Sequence, residues 1–182
     1  MGMGRRTIRE VIMKPKIKVV MFIFTFVLFI AIVLKVGIGE SYINYTMKSF
    51  FESIYNFKSS SINQNSCWEE TVNFIETQTD LLCSKSVKET FLHKYLHLLN
   101  IAYIKELSLA VKEVTFTKLS GFKTDKVYAF VVKVSIYNQY TNEALLLTNE
   151  GQIQLKQSFL NYKISSLKMS VDQVRDYLST LD

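Results

Sequence analysis

The sequence is poor in the residues that interrupt regular structure and in those that most often do chemistry. Its 182 residues include one proline, six glycines, two cysteines and two histidines. So little proline and glycine predicts long helices and strands with short connections. The sequence has no glycine-rich phosphate loop and no Gly-x-Ser-x-Gly elbow, the motifs of nucleotide-binding and serine-hydrolase sites. We therefore predict a protein that is not an enzyme and that needs no cofactor.

The histidines and one glutamate pair are the remaining candidates for a chemical site. His93 and His97 are four residues apart, the spacing of a zinc pair on one helical face. Lys94 stands where the metalloprotease motif has glutamate, and no third ligand is indicated. Glu69 and Glu70 are adjacent, so they point apart and complement a helix dipole instead. The sequence therefore predicts no catalytic, cofactor-binding or metal site.

A long apolar segment lies near the N-terminus. From residue 19 to residue 34 only Thr25 is polar, and the apolar character resumes after Lys35. About 20 such residues cross a hydrocarbon core of ~30 Å, and a helix of this segment has no polar face. We predict a transmembrane helix over residues 19–39. Its anchor side chains are Val19, Phe22, Phe26, Phe29 and Leu34. A cleaved signal peptide is the alternative, but Gly37-Ile38-Gly39 is a poor cleavage site.

The charge distribution predicts how the chain is oriented in the membrane. Residues 1–18 carry a net charge of +5, and the whole chain carries +6. By the positive-inside rule this basic tail stays in the cytoplasm, and residues from about 40 onward lie outside the cell membrane. The basic excess is explained by topology and by contact with anionic membrane lipid. Because the rest of the chain is nearly neutral, we expect no direct binding of nucleic acid.

Residues 40–65 are predicted to form a helical stalk followed by a hinge. Apolar side chains recur there at spacings of four, three, four and three. They are Ile43, Met47, Phe50, Ile54 and Phe57. Three interpretations remain open: a self-association seam, a helix lying on the outer leaflet, or a stripe that packs on the domain beyond it. The polar run Ser59–Ser66 is typical of a hinge.

Residues 66–182 are predicted to form one α+β domain. Capping boxes mark three helix starts, at Ser66, Ser86 and Ser170. From Leu109 the apolar period becomes alternating, which predicts a meander of long antiparallel strands. In one of these strands the side chains predicted to point inward are Tyr128, Phe130, Val132, Val134 and Ile136. Those side chains are suited to packing rather than catalysis. Asn149–Gly151 is either a hairpin turn or a bulge.

The two cysteines are predicted not to form an internal disulfide. Cys67 and Cys83 lie at opposite ends of the first predicted helix. Sixteen residues at 1.5 Å each separate them by about 24 Å, whereas a disulfide requires Cα atoms within about 7 Å. Free thiols or an intermolecular pair are expected.

The order of these elements resembles a known family. The span Val19–Leu34, the capped helices and the closing stretch NYKISSLKMS resemble the VirB-eight-like bitopic scaffold subunits of type IV secretion and conjugation machines, with TraH and TcpC of Gram-positive systems closest in layout. The resemblance implies helices on a curved antiparallel sheet of nuclear-transport-factor-two-like fold. It also implies a structural role, with copies of the chain and other secretion-channel subunits as partners. Alternatives are a membrane-tethered ligand-binding or enzymatic domain of the same fold, and a cell-wall or sporulation adaptor.

Overall fold

The computed structural model describes residues 15–58, 68–122, 124–158 and 161–182. The chain divides into two compact units, Met1–Glu40 and Ser41–Asp182. The helices described are α1 (Pro15–Tyr55), α2 (Trp68–Asp80), α3 (Lys85–Val87), α4 (His93–Ile104) and α5 (Gln173–Ser179). A π-helical turn, Lys88–Leu92, joins α3 to α4. The strands are β1 (Leu107–Phe122), β2 (Asp125–Asn138), β3 (Glu143–Ser158) and β4 (Asn161–Asp172).

The four strands form one antiparallel sheet in the order β1-β2-β3-β4. Strand β2 alternates buried and partly exposed residues, as a strand with one covered face does. Its buried residues are the predicted inward set, Tyr128, Phe130, Val132, Val134 and Ile136. Helices cover this inner face, and the predicted α+β class is therefore confirmed.

The bulges of the sheet all lie in its edge strands. Extra residues interrupt the register of β1 at Lys112 and Leu119, and that of β4 at Ser165 and Ser170. The register between β2 and β3 is continuous. A bulge bends its strand and increases the local twist, so these positions curve the sheet around the helices.

The Asn149–Gly151 segment is not a turn. Strand β3 runs through it, and the bulge lies opposite, since Glu150 pairs with Val171 while Gly151 pairs with Met169. Ser170 is therefore the extra residue of a bulge in β4.

Two of the predicted capping serines are wrong. The side chain of Ser84, not Ser86, accepts a hydrogen bond from the Val87 amide at 3.4 Å. At α5 the cap is Asp172, whose carboxylate accepts from the Arg175 amide at 3.2 Å. Ser86 lies inside the first turn, and Ser170 belongs to the β4 bulge, so neither has the flanking position that a cap requires. Ser66 lies outside the described residues.

The end of α1 belongs to the domain, so the predicted stalk needs correction. The predicted seam side chains are Ile43, Met47, Phe50, Ile54 and Phe57. Each is at most 5% exposed and lies in the domain core. Phe51 and Tyr55 on the same helix are also fully buried, which makes the apolar face too wide for a coiled-coil seam. Of the three interpretations, the structure supports the one in which this apolar stripe packs on the domain. Self-association through the stripe would require these side chains to leave the core.

The structure describes little of the predicted anchor. Phe26 lies in α1 and is 55% exposed. The side chains of Val19, Phe22, Phe29 and Leu34, the tail of residues 1–14 and the hinge Ser59–Ser66 lie outside the described residues. Among the residues that are described, we find no helix with the length and apolarity needed to cross a membrane.

Candidate functional site

The inner face of the sheet is the concave surface where a domain of this architecture would hold a ligand. Here aromatic side chains from α1 fill it. The ring of Phe51 lies 4.8 Å from that of Phe130 on β2 and 6.3 Å from that of Phe116 on β1. Phe50 packs edge-on against Phe51. We call these four residues the aromatic cluster. At this part of the inner face, α1 stands where a ligand would otherwise lie.

Beside the aromatic cluster lies a buried polar group of side chains from four elements. It comprises Tyr55 of α1, Tyr95 of α4, Asn149 of β3 and Asp172, and we call it the polar joint. The Asn149 amide donates to the Tyr55 hydroxyl at 2.8 Å and to the Tyr95 hydroxyl at 3.4 Å. The Tyr95 hydroxyl in turn donates to the Asp172 carboxylate.

The polar joint also fixes the start of α5. The Asn149 side-chain oxygen accepts from the Val174 amide at 3.2 Å, and the Asp172 carboxylate accepts from the Arg175 amide. In the described part of the chain no buried side-chain nitrogen or oxygen is left without a partner. The network is thus complete, which is the condition under which buried polar groups specify one arrangement of the core.

Burial sets the protonation of the polar joint. It raises the pKa of the Asp172 carboxyl, against the opposing effects of the Tyr95 hydrogen bond and of Arg175. Burial also raises the pKa values of Tyr55 and Tyr95 far above the usual range, so both phenols remain protonated donors. A carboxyl and two phenols could serve acid–base chemistry, but all four side chains are at most 5% exposed. Substrate has no access to them in this structure, so the polar joint serves as a structural element.

An open cleft lies between α2, the α3–α4 region and β4. Its cavity is about 520 Å³ and is lined by charged side chains that already have partners. Lys88 pairs with the Asp80 carboxylate, and the Lys163 ammonium donates to the Asp80 carbonyl at 3.0 Å. His93 lies 4.0 Å from the Glu76 carboxylate. Opposite charges therefore compensate one another along this cleft.

The two histidines are exposed on α4, and the described residues contain no group of three metal-ligating side chains. The exposed pair Glu69 and Glu70 lies in the first turn of α2, as the dipole argument expects.

Cys83 is a free, buried thiol at the edge of this cleft. Burial raises its pKa to about 11, although Lys163 acts in the opposite direction. The thiol therefore stays protonated near neutral pH and is a poor nucleophile. Cys67 lies outside the described residues.

Sequence reasoning missed the polar joint, although one signal was present. Asn149 occupies an inward position of β3, in phase with the buried Ile153 and Leu155. A polar residue at an inward strand position needs hydrogen-bond partners, because leaving it unpaired costs free energy. The partners Tyr55 and Tyr95 are distant in sequence, so the pattern alone could not identify them.

Comparisons with known proteins identify the fold. No protein-family model and no curated protein sequence matches the chain. The structure matches that of CagV, a VirB8 homolog of the type IV secretion system of Helicobacter pylori, with a TM-score of 0.50 and 10% identity over 70% of this chain and 95% of CagV. The fold is VirB8-like. The resemblance predicted from the sequence is therefore confirmed as a fold.

Two further solved structures come from conjugation systems. TraH, a transfer protein of a Gram-positive conjugative plasmid, matches with a TM-score of 0.44 and 12% identity over 72% of this chain and 94% of TraH. An Ntf2-like protein involved in plasmid conjugation matches with a TM-score of 0.37 and 10% identity, over 68% of this chain and 46% of that protein.

Proposed function

We propose that this protein is a non-enzymatic scaffold subunit of a conjugative type IV secretion machine. The observation that carries the proposal is the VirB8-like fold, which extends over 95% of CagV. CagV is itself described as part of a type IV secretion system. The domain Ser41–Asp182 would act outside the cell membrane as a rigid body that other channel subunits and further copies of the chain contact.

The filled inner face supports a scaffold rather than a ligand-binding domain. Phe51 of α1 packs against both Phe116 and Phe130, and the neighbouring polar joint is inaccessible. A ligand-binding or catalytic variant of this architecture would need an opening at this surface. The domain instead uses the surface to hold α1.

The proposed location rests on the N-terminal sequence. Residues 19–39 would anchor the chain in the membrane, and the basic residues 1–18 would remain cytoplasmic. Since α1 continues from Pro15 to Tyr55, one helix would then connect the anchor to the core of the domain.

Transfer frequency tests this proposal. The gene is deleted in frame from the mobile element that carries it, and the deletion is complemented by the full chain or by an exported fragment beginning at Ser41. The fragment must begin there, because a start near Ser59 would remove Phe50, Phe51 and Tyr55 from the core. We expect the deletion to abolish transfer and only the anchored chain to restore it.

The controls separate anchoring from folding and expression. Immunoblotting compares the amounts of the two chains, and protease resistance reports whether the fragment is folded. A third chain, in which an unrelated transmembrane helix replaces residues 19–39, should restore transfer if the span serves only as an anchor. Unchanged transfer after the deletion would contradict the conjugation role, and full rescue by the exported fragment would contradict the need for an anchor.

A further inference from the structure

Strand β3 extends beyond its partner β4, so the first part of β3 lies at an edge of the sheet. Pairing with β4 ends where Asn149 meets Asp172, whereas pairing with β2 continues to the start of β3. The chain then enters α5, and the Thr148 amide donates to the Gln173 side chain at 2.8 Å. Within the described residues no strand pairs with the β4 side of residues 143–147. We call residues 143–147 the open edge.

The side chains at the centre of the open edge are accessible on both faces of the sheet. Ala144 is exposed, Leu145 is 41% exposed and Leu146 is 56% exposed. Leu145 belongs to the inner face, in phase with Asn149, and its two neighbours belong to the outer face. A helix or loop packed along this edge would bury at least part of the run. The neighbouring α5 therefore leaves the open edge accessible.

Residues 59–67, which lie outside the described part of the chain, are too few to cover the open edge. They follow Lys58, which lines a cavity with Ser108 of β1, and precede Trp68, whose ring lies 6.4 Å from that of Phe57. Both ends of the segment are thus on the β1 side of the sheet. The open edge lies beyond β1, β2 and β3, roughly 19 Å away at the usual strand spacing. Ten residues span at most about 36 Å, which is less than the distance out and back.

The backbone of the open edge presents unpaired hydrogen-bonding groups. The amide and carbonyl groups of successive residues alternate between the two sides of a strand. Since the Thr148 amide points away from β2, the backbone groups of Ala144 and Leu146 do so too. No backbone group of the described chain bonds to them on that side. The sequence EALLL has no proline, and its one charge is at the first position, so little protects this edge from pairing.

We propose that the open edge pairs antiparallel with the open edge of a second copy of the chain, with Leu145 of one copy opposite Leu145 of the other. The sheets of two copies would then join into one continuous sheet through backbone hydrogen bonds. This inference rests on the self-association included in the proposed function, and it names the surface responsible. It replaces the seam on α1, whose side chains are buried.

The register follows from the direction of the free backbone groups. With Leu145 on the two-fold axis, Ala144 of each copy lies opposite Leu146 of the other. These two residues carry the free amides and carbonyls, so each such pair exchanges two hydrogen bonds. The outermost residues of the pair are Glu143 and Leu147, which face each other at both ends. Pairing stops there because the next amide, that of Thr148, already bonds to α5.

Side-chain complementarity is the reason for choosing a second copy as the occupant. On the inner face the two Leu145 side chains meet, and on the outer face the small Ala144 lies beside the large Leu146. No like charges are opposed, because Glu143 faces Leu147. The pair would cover both exposed leucines. It would also narrow the mouth of a cavity of about 500 Å³ that Leu145 lines together with α5.

Site-specific cross-linking of the purified full-length chain in detergent tests the pairing. Residues opposed in a non-hydrogen-bonded antiparallel pair have Cα atoms about 4.5 Å apart, within reach of a disulfide. In a Cys67→Ser background, Leu145→Cys should give a disulfide-linked dimer under mild oxidation. Gln152→Cys, exposed on the same strand but flanked by β2 and β4, is the matched control and should stay monomeric on a non-reducing gel. Absence of the Leu145→Cys dimer, or equal linking of both variants, would overturn the proposal.

A mixed cross-link tests the register. Chains carrying Glu143→Cys and chains carrying Leu147→Cys, with tags of different size, should form a disulfide-linked heterodimer when mixed. Glu143→Cys chains alone should not link, because the two cysteines would be about 14 Å apart along the strands, beyond the reach of a disulfide. A dimer of Glu143→Cys with itself would contradict this register.

Light scattering, corrected for bound detergent, provides an independent readout. Leu146→Lys adds a charge to the open edge at an exposed position, and should weaken dimerisation by roughly ten-fold or more. Gln152→Lys makes the same charge change away from the edge and should leave the mass unchanged. A monomeric wild-type chain, or an unchanged dimer in Leu146→Lys, would overturn the pairing.

These readouts do not depend on transfer, so the two proposals can fail separately. A monomeric Leu146→Lys chain that still supports transfer would leave the edge pairing intact and remove self-association from the proposed function. Loss of transfer on deletion of the gene, together with a monomeric wild-type chain, would support the proposed function and overturn the edge pairing.

Discussion

The aromatic cluster and the polar joint lie side by side on one inner face, yet they stabilise the domain in different ways. The aromatic cluster gains free energy from buried apolar area and ring contacts, which tolerate small displacements. The polar joint requires each donor to meet its acceptor. Tyr55 takes part in both, since its ring stacks with Phe51 while its hydroxyl accepts from Asn149.

This difference suggests a division of roles. The aromatic cluster contributes buried apolar area and ring contacts that hold α1 on the sheet. The polar joint sets the position of α1, α4 and α5 relative to β3, because only one arrangement satisfies all its hydrogen bonds. A scaffold needs both a stable attachment and a defined geometry, and the two regions supply them separately.

Truncation of the aromatic cluster should have the largest effect. Phe51→Ala removes a fully buried ring that packs against both Phe116 and Phe130, and should lower the free energy of unfolding by about 3–5 kcal/mol. Urea denaturation followed by circular dichroism measures it. Tyr45→Ala is the control on the same helix, because Tyr45 is 64% exposed. Equal stability losses in the two variants would contradict the role of Phe51.

A methyl group added at Gly151 should have the next largest effect. A Cβ atom there would lie 2.1 Å from the Lys168 carbonyl oxygen and 2.9 Å from the Phe130 ring. Because the nearest atom is backbone, β3 and β4 would have to separate, and Gly151→Ala should destabilise by roughly 1–3 kcal/mol. Gly39→Ala is the matched control, since a Cβ at Gly39 meets nothing within 4 Å. Thermal unfolding of both variants provides the measurement, and an unchanged Tm for Gly151→Ala would refute the close approach.

Loss of the polar joint should lower the free energy of unfolding less, but it should also leave the position of α5 less well defined. Asn149→Ala leaves the Val174 amide without its acceptor and removes the amide donor from the Tyr55 and Tyr95 hydroxyls, and should destabilise by about 1–3 kcal/mol. We also expect hydrogen exchange to accelerate in α5. Gln152→Ala is the control, because Gln152 lies three residues further along β3 and its side chain is exposed on the outer face. If exchange in α5 stayed as slow as in the wild type, the polar joint would not be what fixes α5.

How well each region could be predicted depends on whether it is defined by local sequence periodicity or by contacts between distant residues. The alternation of Tyr128 to Ile136 identified the inner face, because one-sided burial imposes a period of two. The polar joint could not be predicted from the sequence, because only the tertiary fold brings its four residues together. The stalk was wrong for a related reason: the four-three spacing from Ile43 to Phe57 is shared by coiled coils and by core helices. Only the flanking Phe51 and Tyr55 indicated the broader, core-facing stripe.

The site predictions divide in the same way. That the chain has no catalytic site stays a prediction, while the caps at Ser86 and Ser170 were misplaced by a motif that also occurs inside helices and strands. The VirB8-like architecture was predictable because it depends on the order of elements, which local periodicity reveals. The position of β1 at one edge of the sheet was not, since which strand lies at an edge depends on how the sheet is assembled.

The smallest expected effect is the pH dependence contributed by Asp172. Burial raises the pKa of its carboxyl in the folded state above the unfolded value of about 3.9. The folded state therefore binds more protons than the unfolded state between these two pKa values, and stability from this group falls as pH rises through the window. Comparing the unfolding free energy of wild type with that of Asp172→Asn across mildly acidic pH isolates the contribution. The asparagine retains an oxygen that can accept from the Arg175 amide, so the α5 cap is preserved.

The difference between the two proteins should shift in favour of the wild type as pH falls, because only the wild type gains the proton. If the wild type instead lost stability relative to Asp172→Asn on acidification, the hydrogen bond from Tyr95 would outweigh desolvation. The folded state would then favour the ionised carboxylate of Asp172 more strongly than the unfolded state does, and the polar joint would stabilise that charge rather than disfavour it.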